Sequence, residues 1–278
     1  MLDIDEFIRL ALDEDLGDGD HSSLATIPPA KTGVAVMIAR QQGVLAGLSV
    51  AVRVFKAVDA ATEVDLLMHD GDFISPDDVV LRVKGRSVSL LSAERLALNF
   101  VQRMSGIATY TRHLCQLIEG THARLLDTRK TTPNFRYFEK EAVRIGGGVN
   151  HRMGLYDMIM IKDNHIDFAG GITAAIRATR EYLEKHGKNL KIEIEVRNLK
   201  ELREVLENRG VDRIMFDNFS TDNMRIGVEM VGGAYETEAS GGITEENIRV
   251  VAETGVDYIS VGALTHQVKS LDLSLKAL

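Results

Sequence analysis

Hydrophobic and polar positions follow different patterns on the two sides of residue 105. Before it, two short apolar runs bounded by glycines predict strands at residues 34–40 and 79–90, with a helix between them at residues 50–61. Over residues 92–105 apolar side chains recur three and four positions apart, which predicts an amphipathic helix with Ser92 as its N-cap. The first part of the chain therefore predicts a mixture of strands and helices.

After residue 120, short apolar strands alternate with helices. The strands are predicted at residues 123–127, 158–162, 191–196, 213–217, 234–239 and 258–261. The helices are predicted at residues 138–145, 172–186, 199–209, 221–231 and 244–253. Repeated strand–helix units imply a parallel sheet, and this many units in about 140 residues indicate a barrel or part of one.

Polar or glycine residues stand at the carboxyl end of nearly every predicted strand. They are Asp127 with Arg129 and Lys130, then Lys162, Glu195, Asp217, Ser240 with Gly241, and Gly262. Barrel enzymes build their active sites at this edge, and a parallel strand buried on both faces is otherwise apolar. The series therefore predicts one shared pocket.

Composition narrows the function classes. The 278 residues carry 33 Lys and Arg against 41 Asp and Glu, a formal charge of −8, which argues against general nucleic-acid binding. A single cysteine excludes an internal disulfide and a cysteine-based zinc site, and favours a reducing compartment. The longest apolar stretch, residues 43–52, is too short to span a membrane. We expect a cytoplasmic protein.

Positive charges form the first candidate constellation. Arg129, Lys130, His151, Arg152 and Lys162 converge on the predicted rim, with Arg95 as an outlying member. Arginine forks bind carboxylate and phosphate groups in a bidentate way, and lysine acts as a point charge. The cluster suits a polyanionic ligand; the alternative is a set of solvated surface charges.

A pair of acids and a glycine loop complete the candidate site. Glu195 and Asp217 end successive predicted strands and could hold ribose hydroxyls or Mg²⁺, or stabilise an oxocarbenium-like centre; alternatively each caps a loop. Ser240-Gly241-Gly242 precedes the helix predicted from Thr244, and with Gly262 it could bind a phosphate at a helix N-terminus; a tight turn is the alternative.

The sequence resembles the quinolinate phosphoribosyltransferase family nearly from end to end. The matching motifs are Glu-Asp-Leu-Gly-Asp-Gly-Asp (14–20), Glu-Arg-Leu-Ala-Leu-Asn (94–99), Ser-Gly-Ile-Ala-Thr (105–109), Asp-Thr-Arg-Lys-Thr-Thr-Pro (127–133), Gly-Gly-Gly-Val-Asn-His-Arg (146–152), Ile-Lys-Asp-Asn-His (161–165), Glu-Ala-Ser-Gly-Gly-Ile (238–243) and Val-Gly-Ala-Leu-Thr-His (261–266). The resemblance implies an N-terminal α/β sandwich over residues 1–107 and an open, incomplete α/β barrel over residues 108–267. It also implies that the tail, residues 268–278, returns to the first domain.

The resemblance implies an activity and a role for each candidate residue. The activity is phosphoribosyl transfer from phosphoribosyl pyrophosphate to quinolinate with decarboxylation, in NAD biosynthesis. The residues implied to bind quinolinate are Arg95, reaching in from a neighbouring subunit of a homodimer or larger oligomer, with Arg129, His151, Arg152 and Lys162. The implied catalytic residues are Lys130, Glu195 and Asp217, the two acids facing the ribose and, through Mg²⁺, the pyrophosphate. The implied phosphate ligands are Lys130, Ser240, Gly241, Gly262 and His266.

The sequence departs from the family pattern at one place, and three alternative functions stay open. Asn134-Phe135 stands where the family is expected to have Gly-Leu, and asparagine tolerates a positive φ better than most residues. A paralogue linked to molybdate transport would share the fold and act on another substrate. A Schiff-base aldolase using Lys162 and a non-catalytic phosphate-binding module belong to other function classes.

Overall fold

A computed structural model describes residues 3–278 of the chain. Its helices are α1 (Ile4–Leu16), α2 (His21–Thr26), α3 (Leu48–Val58), α4 (Ser87–Leu117), α5 (Arg136–Gly146), α6 (Asp163–Ala169), α7 (Ile172–Lys185), α8 (Leu199–Asn208), α9 (Thr221–Val231), α10 (Ile248–Ala252) and α11 (Ala263–His266). Its strands are β1 (Thr32–Ala39), β2 (Gly43–Val44), β3 (Glu63–Leu66), β4 (Phe73–Ile74), β5 (Val79–Arg86), β6 (Arg124–Leu126), β7 (Ile159–Ile161), β8 (Ile192–Val196), β9 (Arg213–Asp217), β10 (Glu236–Ser240), β11 (Tyr258–Ser260) and β12 (Leu273–Ala277).

The chain divides into two compact units. The antiparallel unit contains the chain up to Arg112, together with Thr132–Gly147 and Thr265–Leu278. The barrel unit contains His113–Thr131 and Gly148–Leu264. These segments differ from the division expected at residues 107 and 108, because α4 continues without a break past that point and because α5 is grouped with the antiparallel unit.

A four-stranded sheet in the order β12-β1-β5-β3 forms the centre of the antiparallel unit. The C-terminal strand β12 pairs antiparallel with β1, so the tail forms one edge of this sheet. Helix α1 begins where the Asp3 carboxylate accepts the Asp5 N–H at 3.0 Å, and α3 buries its apolar face. The sheet therefore depends on the last residues of the chain as much as on the first hundred.

An ion pair and a cluster of rings hold α5 and the tail in this unit. Arg103 on α4 lies 2.8 Å from the fully buried carboxylate of Glu139 on α5, and it also donates to the Thr265 and Val268 carbonyls of the tail. Next to this ion pair, four phenylalanine rings lie in mutual contact with centroids 4.9–6.1 Å apart: Phe7, Phe100, Phe135 and Phe138.

The segment that departs from the family pattern fits this cluster. Asn134 has a φ of +61°, so asparagine occupies the left-handed conformation for which a glycine was expected. Phe135 follows it as the N-cap of α5 and stacks on Phe100 with centroids 5.5 Å apart. The two substitutions therefore preserve the turn and add a ring to the core of the antiparallel unit.

The barrel unit contains a six-stranded sheet in the order β6-β11-β10-β9-β8-β7, with every adjacent pair parallel. Strands β6 and β7 lie at its two edges, so the sheet is open between them. Helices α7, α8 and α9 connect successive strands, as the alternating pattern predicted. The α/β class predicted from the sequence is confirmed.

Side chains alternate strictly between the two faces of this sheet. In β8 the order Ile-Glu-Ile-Glu-Val puts Glu193 and Glu195 on one face and three aliphatic residues on the other. In β9 the same face carries Arg213 and Asp217 with Met215 between them, and in β10 it carries Glu238. The charged side chains of these three strands therefore lie on one face of the parallel sheet.

Several sequence predictions of element limits were wrong. The strand predicted at residues 79–90 ends at Arg86, and α4 begins at Ser87, so Ser92 lies within a helix rather than at its N-cap. The helix predicted from Thr244 is only α10, which begins at Ile248 because Asn247 binds Thr244 N and the Gly242 carbonyl and holds the preceding residues in a loop. Among the described residues, no helix is both long and apolar enough to cross a membrane.

We predict that Gly106→Ala destabilises the protein. An alanine in a helix normally stabilises it by about 0.5–1 kcal/mol relative to glycine. Here the added Cβ would overlap the Lys269 carbonyl of the tail, so we expect a net loss of about 1–3 kcal/mol in the free energy of unfolding, measured by urea denaturation. Asn99→Ala, on an exposed face of the same helix, is the control and should cost nothing. A Gly106→Ala protein as stable as the parent would contradict the tight contact.

Candidate active site

The carboxyl ends of the parallel strands bring most of the predicted site residues to one edge of the barrel unit. Asp127 follows β6, Lys162 follows β7, Glu195 lies within β8, and Asp217 and Ser240 end β9 and β10. Ser240 is opposite Asp217 in the register of the two strands. Because all adjacent strands are parallel, their ends meet at this edge, as the sequence predicted.

The first group at this edge is built on the loop of His151 and Arg152. The backbone N–H of His151 donates to the buried carboxylate of Asp127 at 2.8 Å, which ties the loop to the end of β6. Arg152 donates from Nη1 to the Met158 carbonyl at 3.2 Å. Burial and the positive charge of Arg129 both lower the pKa of Arg152. The two guanidinium groups therefore repel each other, and an anion bound near them would relieve that repulsion.

Lys162 and Glu195 form an ion pair across β7 and β8. Lys162 Nζ lies 3.0 Å from Glu195 Oε2, the lysine side chain being 44% exposed and the glutamate 9%. The sequence analysis assigned the lysine to the cationic group and the glutamate to the acidic group. The structure brings the two groups into direct contact.

Asp217, Asn218 and Gly241 form a corner between β9 and β10. Asn218 Nδ2 donates to Asp217 Oδ2 at 2.9 Å, and Asn218 N donates to the Ser240 carbonyl at 2.9 Å. Gly241 has a φ of +94°, and the Asn218 side-chain amide occupies the space that a Cβ at Gly241 would need. Asn218 fixes both the acid and the glycine loop, a role that the sequence analysis missed.

A second charged group lies on the polar face below these strand ends. His151 Nε2 lies 2.9 Å from Glu193 Oε2 and 3.5 Å from Glu238 Oε2, and all three side chains are buried. Arg213 Nη1 lies 3.2 Å from Glu238 Oε2, and the guanidinium lies over the Tyr258 ring at 4.2 Å. Three buried side chains, those of His151, Glu193 and Glu238, thus lie together with the partly exposed Arg213.

The pKa values of this cluster follow from burial and mutual charge. Burial acts to lower the pKa of His151, whereas contacts with the carboxylates of Glu193 and Glu238 act to raise it. Burial and the charge of Glu238 raise the pKa of Glu193 to about 7. Burial also acts to raise the pKa of Glu238, but His151 and Arg213 lower it further than burial raises it. Glu238 therefore stays ionised at neutral pH.

The remaining predicted residues lie on loops or in the antiparallel unit. Arg129 and Lys130 are exposed on the loop after β6, and Gly262 follows β11. Arg95 lies exposed on α4 and His266 ends α11; both are grouped with the antiparallel unit. The loop 240–242 has no helix N-terminus directly after it, so a phosphate there would rest on loop N–H groups.

The sequence analysis also missed Glu193, Arg213 and Glu238. They lie inside strands, whereas the sequence predictions concern residues at strand ends. The interior of a buried parallel strand is expected to be apolar. A signal was available for Glu193, because Ile-Glu-Ile-Glu-Val alternates with a period of two, whereas the strands of Arg213 and Glu238 show no such alternation.

Comparisons with known proteins agree over the whole chain. The family model described as quinolinate phosphoribosyl transferase, N-terminal domain, matches residues 20–105, and the C-terminal domain model matches residues 107–276. A chloroplastic nicotinate-nucleotide pyrophosphorylase (carboxylating) of Oryza sativa subsp. japonica is 46% identical, over 99% of this chain and 77% of the rice protein. A probable nicotinate-nucleotide pyrophosphorylase (carboxylating) of Bacillus subtilis is 43% identical, over 94% of this chain and 89% of that protein. The crystal structure of NadC from Streptococcus pyogenes superposes with a TM-score of 0.94 at 40% identity, covering 99% of this chain and 97% of that one.

We predict that Gly241→Ala destabilises the protein more than Gly242→Ala. Both glycines have a positive φ, +94° and +62°, so each alanine costs about 1–2 kcal/mol of backbone strain. Only at Gly241 must the new Cβ also displace the Asn218 amide, whereas nothing lies within 4 Å at Gly242. Thermal unfolding of the two variants measures the difference directly. Equal losses would show that Asn218 moves aside freely.

Proposed function

The chain belongs to the quinolinate phosphoribosyltransferase family, and we propose that it transfers the phosphoribosyl group of phosphoribosyl pyrophosphate to quinolinate. The products are nicotinate mononucleotide, pyrophosphate and CO₂, which makes the protein a carboxylating nicotinate-nucleotide diphosphorylase of NAD biosynthesis. The observation that carries the assignment to this site is the pair of mutually repelling arginines, Arg129 and Arg152, at the carboxyl edge of a parallel sheet.

Quinolinate is a ligand that such a pair fits. Its two adjacent carboxylates offer two negative charges, and guanidinium groups bind carboxylates in a bidentate way. We assign Arg129, His151, Arg152 and Lys162 to the quinolinate site. They orient the ring so that its nitrogen faces the anomeric carbon, and fixed orientation alone lowers the barrier by several kcal/mol.

The reaction then proceeds by two bond exchanges. The ring nitrogen forms a bond to the anomeric carbon while the bond from that carbon to the pyrophosphate oxygen breaks, and its electron pair leaves with pyrophosphate. The bond from ring carbon 2 to its carboxylate then breaks, CO₂ leaves, and the electron pair remaining on the carbon takes up a proton. The positively charged ring nitrogen stabilises that electron pair.

Glu195 and Asp217 are proposed to face the ribose. Negative charge beside the anomeric carbon stabilises the oxocarbenium-like centre that forms as pyrophosphate departs. Their carboxylate oxygens also suit Mg²⁺, which prefers oxygen ligands and commonly accompanies substrate phosphates. When bound, Mg²⁺ supplies positive charge that balances pyrophosphate.

Lys130 and the glycine loops complete the proposed site. Lys130 lies on the exposed loop after β6, where a flexible ammonium group can meet a phosphate. We assign the 5′-phosphate to the loops of Ser240, Gly241 and Gly262, together with His266. The cytoplasmic location expected from the composition stays a prediction.

We further propose a homodimer in which Arg95 enters the site of the neighbouring subunit. Arg95 is exposed on α4, although the two residues that follow it, Leu96 and Ala97, are buried. A long exposed guanidinium on a rigid helix can bind a carboxylate on another molecule.

A parallel assay tests the activity. Purified protein receives phosphoribosyl pyrophosphate and Mg²⁺ with either quinolinate or nicotinate, and pyrophosphate and CO₂ are followed together. We expect both products with quinolinate and neither with nicotinate, because nicotinate lacks the second carboxylate. Chelation of the metal should stop the reaction. If the folded protein releases neither pyrophosphate nor CO₂ with quinolinate, the proposal is refuted and the paralogue linked to molybdate transport is favoured.

Mixed dimers test the role of Arg95. Arg95→Ala and Arg129→Ala proteins should each lose most activity, because each lacks one carboxylate contact at every site. After the two are unfolded together and refolded, half of the dimers are hybrids with one intact site each. We therefore expect recovery of about a quarter of the wild-type activity.

The control for this experiment is the pair Arg177→Ala and Arg129→Ala. Arg177 is exposed on α7, and its loss should leave activity unchanged on its own. Failure of the Arg95→Ala and Arg129→Ala mixture to recover activity would show that Arg95 does not act across subunits.

A further inference from the structure

The cluster of His151, Glu193, Glu238 and Arg213 lies inside the barrel unit and has no part in the proposed function apart from His151. Glu193 and Glu238 are completely buried, and such carboxylates are costly unless they are paired. They contribute no atom to the strand-end edge, since they lie in the interior of β8 and β10. The free-energy cost of burying two carboxylates indicates that they have a function in the protein.

The geometry at His151 shows what the acids hold. The backbone N–H of Arg152 donates to His151 Nδ1 at 2.6 Å, so Nδ1 is an acceptor and the ring proton sits on Nε2. Nε2 lies 2.9 Å from Glu193 Oε2 and 3.5 Å from Glu238 Oε2. The imidazole therefore links the two buried acids on one side to the backbone of Arg152 on the other.

The same geometry argues against a metal ion in this place. The ligand atoms of His151, Glu193 and Glu238 all lie within 4.8 Å of one another, which is compact enough for a metal. A metal would need the lone pair of Nε2, but that atom carries the proton. Arg213 already provides a positive charge 3.2 Å from Glu238. Arg213 and the Nε2 proton are the positive groups that face the two acids.

We propose that Glu193 and Glu238 are positioning residues of the quinolinate site, which hold the imidazole of His151 and, through it, fix Arg152 for carboxylate binding. This inference rests on the proposed function. Arg213 offsets the second carboxylate, so the cluster subtracts little positive potential from the pocket.

Paired substitutions at Glu193 test the proposal kinetically. Glu193→Leu removes the acceptor, and we expect the KM for quinolinate to rise about tenfold or more, with a smaller change in kcat and in the KM for phosphoribosyl pyrophosphate. Glu193→Gln keeps a carbonyl oxygen as acceptor and should recover most of the loss. The control is Glu236→Leu with Glu236→Gln, on the same face of β10. Glu236 binds Arg213 but is not among the ion-pair partners of His151. A folded Glu193→Leu enzyme with an unchanged KM for quinolinate would overturn the proposal.

Nitrogen NMR of the wild-type protein tests the geometry without any activity. With the His151 signals assigned by comparison with His151→Asn, we expect a bare Nδ1 and a protonated Nε2 whose hydrogen exchanges slowly with solvent. A proton on Nδ1, with or without one on Nε2, or a ring that exchanges its proton rapidly, would overturn the proposal even if Glu193→Leu fails to fold. Absence of turnover with normal NMR signals would refute the proposed function instead.

Discussion

Charged side chains on a buried face of a parallel sheet must find their partners inside the protein, and this constraint governs the barrel unit. Taking a carboxylate out of water costs several kcal/mol, so an unpaired acid on the polar face would unfold the sheet rather than line it. Arg213 meets the constraint for β10 by binding Glu236 and Glu238 together. His151 meets it for β8 from a loop, and so the position of that loop is fixed by the interior of the sheet.

In the antiparallel unit, too, a buried acid is paired with a positively charged side chain, but fewer charges are involved. Glu139 is the one acid of α5 that is completely buried, and Arg103 neutralises it while also donating to two carbonyls of the tail. A single guanidinium thereby binds groups from two segments that are far apart in the sequence. In each unit a buried acid, paired with Arg103 in one and with His151 in the other, contributes to where a distant segment lies.

The sequence predicted well what depends on local periodicity. The limits of β9 and α9 agree with the predicted ones to the residue, because a short apolar run between charged residues and helical spacing are both visible within a short window. The tail strand β12 was not predicted from the pattern, since it exists only where β1 offers an edge. The start of α10 was missed because one side chain, Asn247, decides it.

The site residues were predicted from their position at strand ends rather than from local periodicity. The strand-end series could be read because the carboxyl edge of a parallel sheet gathers functional groups, while the roles of Arg95 and His266 came from resemblance alone and stay predictions. Glu193 and Glu238 could not be found by asking which residues line a pocket. They are visible only once the strands are known to have a polar face, and that follows from the pairing of charges across strands.

Lys162 and Glu195 form an ion pair at the edge where we propose that quinolinate binds, in a protein whose formal charge is −8. The acid partner keeps the lysine neutralised before any ligand arrives. With the lysine side chain 44% exposed, such a pair is worth about 0–1 kcal/mol, so an incoming carboxylate can share the ammonium group at little cost. The acids at this edge are therefore compatible with anion binding: they hold the cations in place, and their weak, solvent-screened contacts are the ones that a dianionic ligand can replace.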